Sequence, residues 1–327
     1  MRVTAEARSI LHLATPIALA QFGLMAMSLV DTAMLGRVSQ VDLAAASLGR
    51  NIGFAAQTIP MGLAMALEPL ASQAVGAGDP RRAWRAFMAT LETVGIAWAP
   101  TVVIALGLTF ALAPLGVEAA VIVRTRQFLI AWAPGLLAFP CFIAAKTYLQ
   151  ASTRTRPALV AAVVANIVNL VVCSVLVRGD DALTAIGLPA VGLPRLGALG
   201  SGLALTVAGL LLAGIVLRAA WSLKPAAGGD HVPRREVVRM GLPVGLQMLA
   251  EVGVFALVSV LTGHFGTAVV AANQIALGLA SFTFMGALGV SGATAVRVGH
   301  AVGARDAHGA RRAGLTGIAM GAGAMAV

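Results

Sequence analysis

Nine long apolar stretches, separated by short polar interruptions, leave this chain few ways to fold. They run over about residues 9–36, 43–75, 84–112, 119–149, 157–178, 196–222, 237–263, 268–302 and from 310 to the last residue. About 20 apolar residues make a helix that crosses some 30 Å of hydrocarbon, where every backbone polar group must be satisfied within the segment. The stretches are therefore predicted to be transmembrane helices, and the length leaves room for some nine or ten passes. Composition agrees: hydrophobic residues are 59%, charged residues 11% and mean hydropathy is +0.90. Soluble domains are closer to half apolar and one quarter charged. Abundant Gly and Ala suit the close helix packing that occurs in lipid.

The first stretch follows "MRVTAEARSILHLATPIALAQ", which has the charges and the "ALA" of a secretory signal. It stays apolar to Leu35, however, so a first membrane helix is expected. Cys141 and Cys173 both lie in apolar segments without a CxxC or a nearby His pair, which argues against a disulfide framework or a zinc site. "KPAAGGDHVPRRE", between the sixth and seventh stretches, has the Pro, Gly and mixed charge of a linker. The domains are expected at 1–223, with a cytoplasmic linker at 224–236 and a second unit at 237–327.

The net charge of +10 does not collect on one soluble module, so nucleic acid is not an expected partner. If the N-terminus is placed inside and the helices alternate, sixteen Lys and Arg fall on that side. Six, namely Arg37, Arg50, Arg124, Arg126, Arg178 and Arg195, fall on the other, and Lys146 lies within a helix. This positive-inside bias predicts a cytoplasmic N-terminus.

The chain also repeats itself. "AVGAGDPRRAWRA" from Ala74 and "AVGARDAHGARRA" from Ala301 align in register, and Pro16 with Pro243, Gly36 with Gly263, and Gly76 with Gly303 are each 227 residues apart. An even number of six helices per copy gives both copies the same orientation, as in transporters built from parallel repeats. A full second copy would end near residue 450, roughly twice the repeat. The expectation is a fragment, with only the first three helices of the second copy present.

Several stretches together resemble the multidrug and toxic compound extrusion (MATE) family, in its NorM-like branch. They are "TPIALAQ" at 15–21, "VDTAMLG" at 30–36, "DLAAASLG" at 42–49, "EPLASQAVGAGD" at 68–79, "NIVNLVV" at 166–172, "GLPVGLQMLAEVGVFALV" at 241–258, "VAANQIAL" at 270–277 and "VRVGHAVGARD" at 296–306. The resemblance implies an all-α polytopic membrane protein of two six-helix lobes around a central cavity, here with an incomplete second lobe and about nine transmembrane helices. It also implies export of cationic or lipophilic drugs and toxic compounds in exchange for H⁺ or Na⁺, in a bacterial cytoplasmic membrane. Neither an enzyme activity nor a cofactor beyond the coupling ion is expected, and the partners are small molecules and the lipid bilayer.

Two acids stand out. A carboxylate at membrane depth costs about 2.5 to 3.5 kcal/mol and survives where it faces a cavity or a partner. Asp31 lies about 7 Å below the outer end of the first helix at 1.5 Å per residue, and its position matches the family's proton-linked aspartate. Snorkelling to outside water is the competing role. Glu251 lies near the middle of the seventh helix, matches a glutamate of the family's second-lobe cation site, and is the candidate for a bound Na⁺. Asn166, Asn169 and Cys173, spaced i, i+3, i+7, share a helix face that could meet Asp31. Part of the family has an aspartate where Cys173 stands, and the asparagines serve equally as interhelical glue.

Gln21, Gln57 and Gln247 are candidates to line the cavity or to act as packing glue. Glu68 and Lys146 are expected to be structural, and Glu92 to pair with a neighbouring base. Asn273 stands where the family often has His, and His12, His231, His264, His300 and His308 are expected to be structural or solvated. The readings that compete with an antiporter are a flippase for a lipid-linked precursor, which calls for a basic central cavity, and an inactive half-transporter. A membrane enzyme lacks any GxSxG or HExxH motif.

Overall fold

The computed structural model describes residues 2–36, 38–184, 189, 192–226, 232–263 and 267–325. Among them there is no strand, and the elements in order are α1 (Arg2–Gly36), α2 (Gln40–Met65), α3 (Leu67–Gly76), α4 (Pro80–Leu108), α5 (Ala119–Ala151), α6 (Arg156–Arg178), α7 (Asp180–Thr184), α8 (Gly197–Trp221), α9 (Arg234–Gly263), α10 (Thr267–Gly303) and α11 (Ala307–Met325). The nine expected helices are present with their described ends within about four residues of expectation, except that α1 begins seven residues early, at Arg2. The second is broken at Ala66, because Pro69 has no N–H to give the carbonyl of Met65 and the helix restarts one residue on. The five-residue α7 was not anticipated. The carboxylate of its first residue, Asp180, accepts hydrogen bonds from the amides of Gly192 (2.9 Å) and Leu193 (3.0 Å).

Seven helical stretches among the described residues are long and apolar enough to cross a membrane. The two expected spans that fall short are α2, interrupted by Asp42, Arg50, Asn51 and Gln57, and α11, which opens on His308, Arg311 and Arg312.

Helices α1 to α8 pack as one bundle. Glycines at 49 and 53 let α2 approach α5, where Phe128 and Trp132 occupy the space their side chains would take. Trp84, Phe87, Tyr148 and Trp221 form an aromatic cluster that joins α4, α5 and α8, with the Phe87 and Tyr148 rings stacked at 4.9 Å. Near their termini α8 and α5 are held by Asp42, whose Oδ1 accepts from the Ala198 amide (3.0 Å) and from Arg124 Nη1 (3.0 Å).

The 227-residue repeat is visible in the hydrogen bonds. The turn after α3 has Asp79 N donating to Ala74 O (2.9 Å) and the Asp79 side chain accepting from Arg82 N (2.9 Å). After α10, Asp306 N donates to Ala301 O (2.8 Å) and the Asp306 side chain accepts from Gly309 N (2.8 Å). The left-handed residue of the first turn is Gly78, with φ +75°, and that of the second is Arg305, with φ +58°.

Packing between the copies obeys the same offset. Gly62 on α2 lies against Gly241 and Gly245 on α9, and Gly289 on α10 lies against Ala14 and Ala18 on α1. Gly76 faces the backbone of His300, while Gly303 faces that of Gln73. Each pair is the other's counterpart shifted by one repeat. These contacts gather toward the end of the molecule where α1 and α9 begin and α3 and α10 finish. An ion pair closes the same end: Arg297 on α10 holds the buried Glu6 on α1 through two hydrogen bonds of 2.9 and 3.1 Å, with Arg312 at 3.7 Å.

Candidate functional site

Asp31 sits in the half of α1 remote from that closed end and has no solvent exposure. Neither carboxylate oxygen makes a hydrogen bond. Three side chains are close enough to act on it: the Cys173 thiol and the Asn169 amide from α6, and the Arg50 guanidinium from α2. The Asn169 amide is likewise buried without a bonded partner. The i, i+4 spacing of Asn169 and Cys173 turns both toward Asp31, as expected. Asn166 is on the same helix but donates to the carbonyls of Gly23 (2.8 Å) and Ala162 (2.7 Å), so it joins α6 to α1 in the interhelical role.

Arg50 corrects the charge assignment. The alternation of helices assigns it to the outer side, but it lies ten residues into α2, donates from Nη2 to Thr32 Oγ1 at 3.1 Å, and keeps Nη1 buried with no acceptor. The signal was present in "AAASLGRNIGF", where a cation interrupts an apolar run just as Asp31 does. The outer side then keeps five cations instead of six, which strengthens the bias.

Glu251 lies in a different setting. It is exposed on α9, and its Oε1 accepts from Gln247 Nε2 at 3.0 Å, one turn earlier. Gln247 is exposed as well. Gln21 is half-buried on α1. Gln57 does not line a cavity: it is 1% exposed and donates to Leu136 O at 2.9 Å, which ties α2 to α5. Among the described residues no group of three or more His, Cys, Asp or Glu gathers as a metal site. Both cysteines are free, Cys173 buried and Cys141 half-buried.

Two further acids within the helices have basic partners. Glu68 on α3 and Lys146 on α5 act on each other as opposite charges, and the Lys146 ammonium lies 5.7 Å from the centre of the Phe142 ring. Glu92 meets Arg234 of α9 at 3.6 Å, the basic partner it was expected to find. His300 Nε2 bonds Ala151 O at 2.7 Å, and His12 and His308 are exposed. Asn273 is half-buried with its amide nitrogen unbonded. Arg37, His231 and His264 lie outside the described residues.

The profile of the MatE family matches residues 16–175 and again 243–327, two stretches that begin one 227-residue repeat apart. The chain belongs to the MatE family. Curated relatives carry the family over nearly all of it. The "Probable multidrug resistance protein NorM" of Bradyrhizobium diazoefficiens is 34% identical over 323 residues, which cover 95% of this chain and 66% of that one. The "Multidrug resistance protein NorM" of Vibrio cholerae is 29% identical over 324 residues, 98% of this chain and 70% of the relative. The chain thus spans about two thirds of the length of these MatE proteins.

Solved MATE transporters share the fold at low identity. A eukaryotic one superposes with a TM-score of 0.83 at 18% identity, covering 97% of this chain and 70% of its own. The Vibrio cholerae transporter VcmN in its bent form gives 0.82 at 20%, covering 95% and 69%. The MatE fold, all-helical and membrane-spanning, is as the sequence led one to expect.

Proposed function

We propose that this MatE chain works as an efflux antiporter, exporting cationic or lipophilic compounds in exchange for H⁺ or Na⁺, with Asp31 and Glu251 as its cation-binding carboxylates. The observation that carries the reading is the state of Asp31: an acid buried in a membrane-spanning helix with no hydrogen bond to either oxygen. Such a group is costly unless something positive comes and goes, so an intramembrane acid of this kind is a functional residue by default. The names of the NorM relatives, multidrug resistance proteins, support drug export as the task.

The two copies of the repeat touch at one end, and side chains toward the other, among them Leu29, Phe54, Glu251 and Val254, stay exposed. That arrangement suits one conformation of an alternating-access cycle, with 1–223 and the segment after the 224–236 linker moving against each other. Export follows if cation and substrate differ in their affinity for the two conformations, since equal affinity for both shifts nothing. In that cycle, cation uptake at the carboxylates on the outer side favours substrate release. The location is the bacterial cytoplasmic membrane with the N-terminus in the cytoplasm, supported by the Arg and Lys distribution.

Export of a fluorescent lipophilic cation from proteoliposomes, driven by an imposed H⁺ or Na⁺ gradient, tests the reading. Asp31→Asn and Glu251→Gln are each expected to lower gradient-driven export about tenfold or more, the order of a lost charge-assisted interaction. Unchanged export in both variants would overturn it.

A further inference from the structure

Arg50 and Asp31 are opposite charges on neighbouring helices, each with buried polar atoms left unbonded. Arg50 Nη2 is tied to Thr32, the residue next to Asp31, by a 3.1 Å hydrogen bond, while Nη1 is buried without an acceptor. Both Asp31 oxygens are buried without a donor. The groups around Asp31 are Arg50 from α2, the Cys173 thiol and Asn169 amide from α6, and the Thr32 hydroxyl beside it in sequence. Arg50 is the one cation among them. Arginine keeps its proton inside proteins, so this charge is permanent.

We propose that Arg50 is a tethered counter-cation that competes with the coupling cation for Asp31. An ionised carboxylate in a low-dielectric site needs a compensating positive charge. When H⁺ or Na⁺ occupies Asp31, that need is met. When it leaves, the guanidinium of Arg50, whose Nη1 has no acceptor of its own, supplies the compensating charge. The coupling cation therefore binds less tightly than it would to a lone buried acid, and the site can empty within a transport cycle. Glu251 has the neutral Gln247 amide as its bonded neighbour, and no cation is paired with it among the described residues. Arg50 acts through Asp31 and is a positioning residue. The inference rests on the reading of Asp31 as a cation site, but its test does not depend on export.

A ligand that binds only the folded protein raises its melting temperature with concentration. The full chain in nanodiscs is melted against Na⁺ at fixed pH and against pH at fixed Na⁺, for the native protein, Arg50→Gln, Arg50→Lys, Asp31→Asn and the neutral pair Asp31→Asn with Arg50→Gln. The expected result is an Asp31-dependent melting shift whose half-saturating concentration of Na⁺ or H⁺ falls about tenfold or more in Arg50→Gln, as removal of a nearby opposite charge requires. Arg50→Lys should stay near the native value, and the neutral pair should lose the shift. If Arg50→Gln folds too poorly to melt, the comparison of Asp31→Asn with the neutral pair decides: the pair should be the more stable, because it does not leave a guanidinium buried alone. An unmoved half-saturating concentration, a shift that survives Asp31→Asn, or no cation-dependent shift in any variant would overturn the proposal. A displaced midpoint in a chain that exports nothing would uphold it and count against the efflux reading alone.

Discussion

The two copies of the repeat share their backbone and differ in their chemistry. Between α3 and α4, and again between α10 and α11, the chain makes the same turn, closed by the same hydrogen bonds at Asp79 and Asp306. The glycines at 62 and 289 take matching places in the two helix contacts that join the copies. The acids do not match. One repeat on from Asp31 stands Val258, and one repeat back from Glu251 stands Leu24. The duplicated part is a scaffold of close helix contacts, while the two candidate cation-binding acids, Asp31 and Glu251, stand at different heights in their copies. Asp31 is enclosed by α2 and α6, whereas Glu251 is exposed beside Gln247.

Moving an acid onto its equivalent position breaks this division most severely. Leu24 packs against the buried core of the first bundle. Leu24→Glu is expected to cost about 3 kcal/mol, the insertion penalty of a charge at membrane depth. Val258→Asp, at a position 37% exposed, should cost less. The amount of each variant recovered from the membrane fraction, and its melting temperature, gives the order. Equal recovery of Leu24→Glu and the native chain would mean that the copies are chemically interchangeable.

Much of this division was legible in the sequence, for physical reasons. Helix positions follow from apolar length, and the copies from a constant offset. Asn169 and Cys173 could be turned toward Asp31 because helical spacing determines a face. Three features were not legible. Arg50 was missed because counting cations by side treats each as belonging to a loop, and only the packing of α2 on α1 shows one held inside. For Gln57 the choice between lining and packing glue was not legible, because the partner that decides for glue, the Leu136 carbonyl, is 79 residues away. The bidentate pair of Glu6 and Arg297 joins residues 291 apart.

The close contacts give the next largest effect. A side chain at Gly76 would meet the backbone of His300, and one at Gly303 the backbone of Gln73. Neither neighbour can rotate away. Gly76→Ala and Gly303→Ala are expected to cost about 1 to 3 kcal/mol each, as overpacking does. Gly95, with open space around its Cβ position, is the control, and Gly95→Ala should be neutral or gain up to about 1 kcal/mol from helix propensity. Melting of the three variants separates contact from propensity. A large difference between the first two would show that the copies do not carry the interface equally.

The ion pair at the closed end is a departure from symmetry, because the counterparts of Glu6 and Arg297 are Pro233 and Leu70. Glu6→Gln leaves Arg297 half-satisfied in a site where the acid is 6% exposed. The expected loss is about 2 kcal/mol, since breaking a hydrogen-bonded charge pair costs the most when the pair is buried. Asp181→Asn, which breaks a pair with Arg195 whose side chains are 50% and 63% exposed, should cost under about 1 kcal/mol. If both losses are equal and both vanish in high salt, the Glu6 pair is no stronger than a surface contact.

The smallest effect is the sharpest on the comparison, because it touches a single backbone angle. Position 78 and position 305 hold the same left-handed residue in the same turn, but the first copy uses Gly and the second uses Arg. An L side chain in that region costs roughly 1 kcal/mol, whereas glycine enters it freely and loses more entropy on folding. Arg305→Gly should therefore stabilise the chain by about 0.5 to 1 kcal/mol, less what the freer unfolded state takes back. Gly78→Ala should destabilise it by a similar amount, since nothing lies within 4 Å of the added carbon and strain in φ is the one cost left. Opposite signs of comparable size in the two melting shifts would show that the turns are energetically as well as geometrically alike. A loss on Arg305→Gly would instead mean that the Arg305 side chain contributes more to its copy than the left-handed angle takes away.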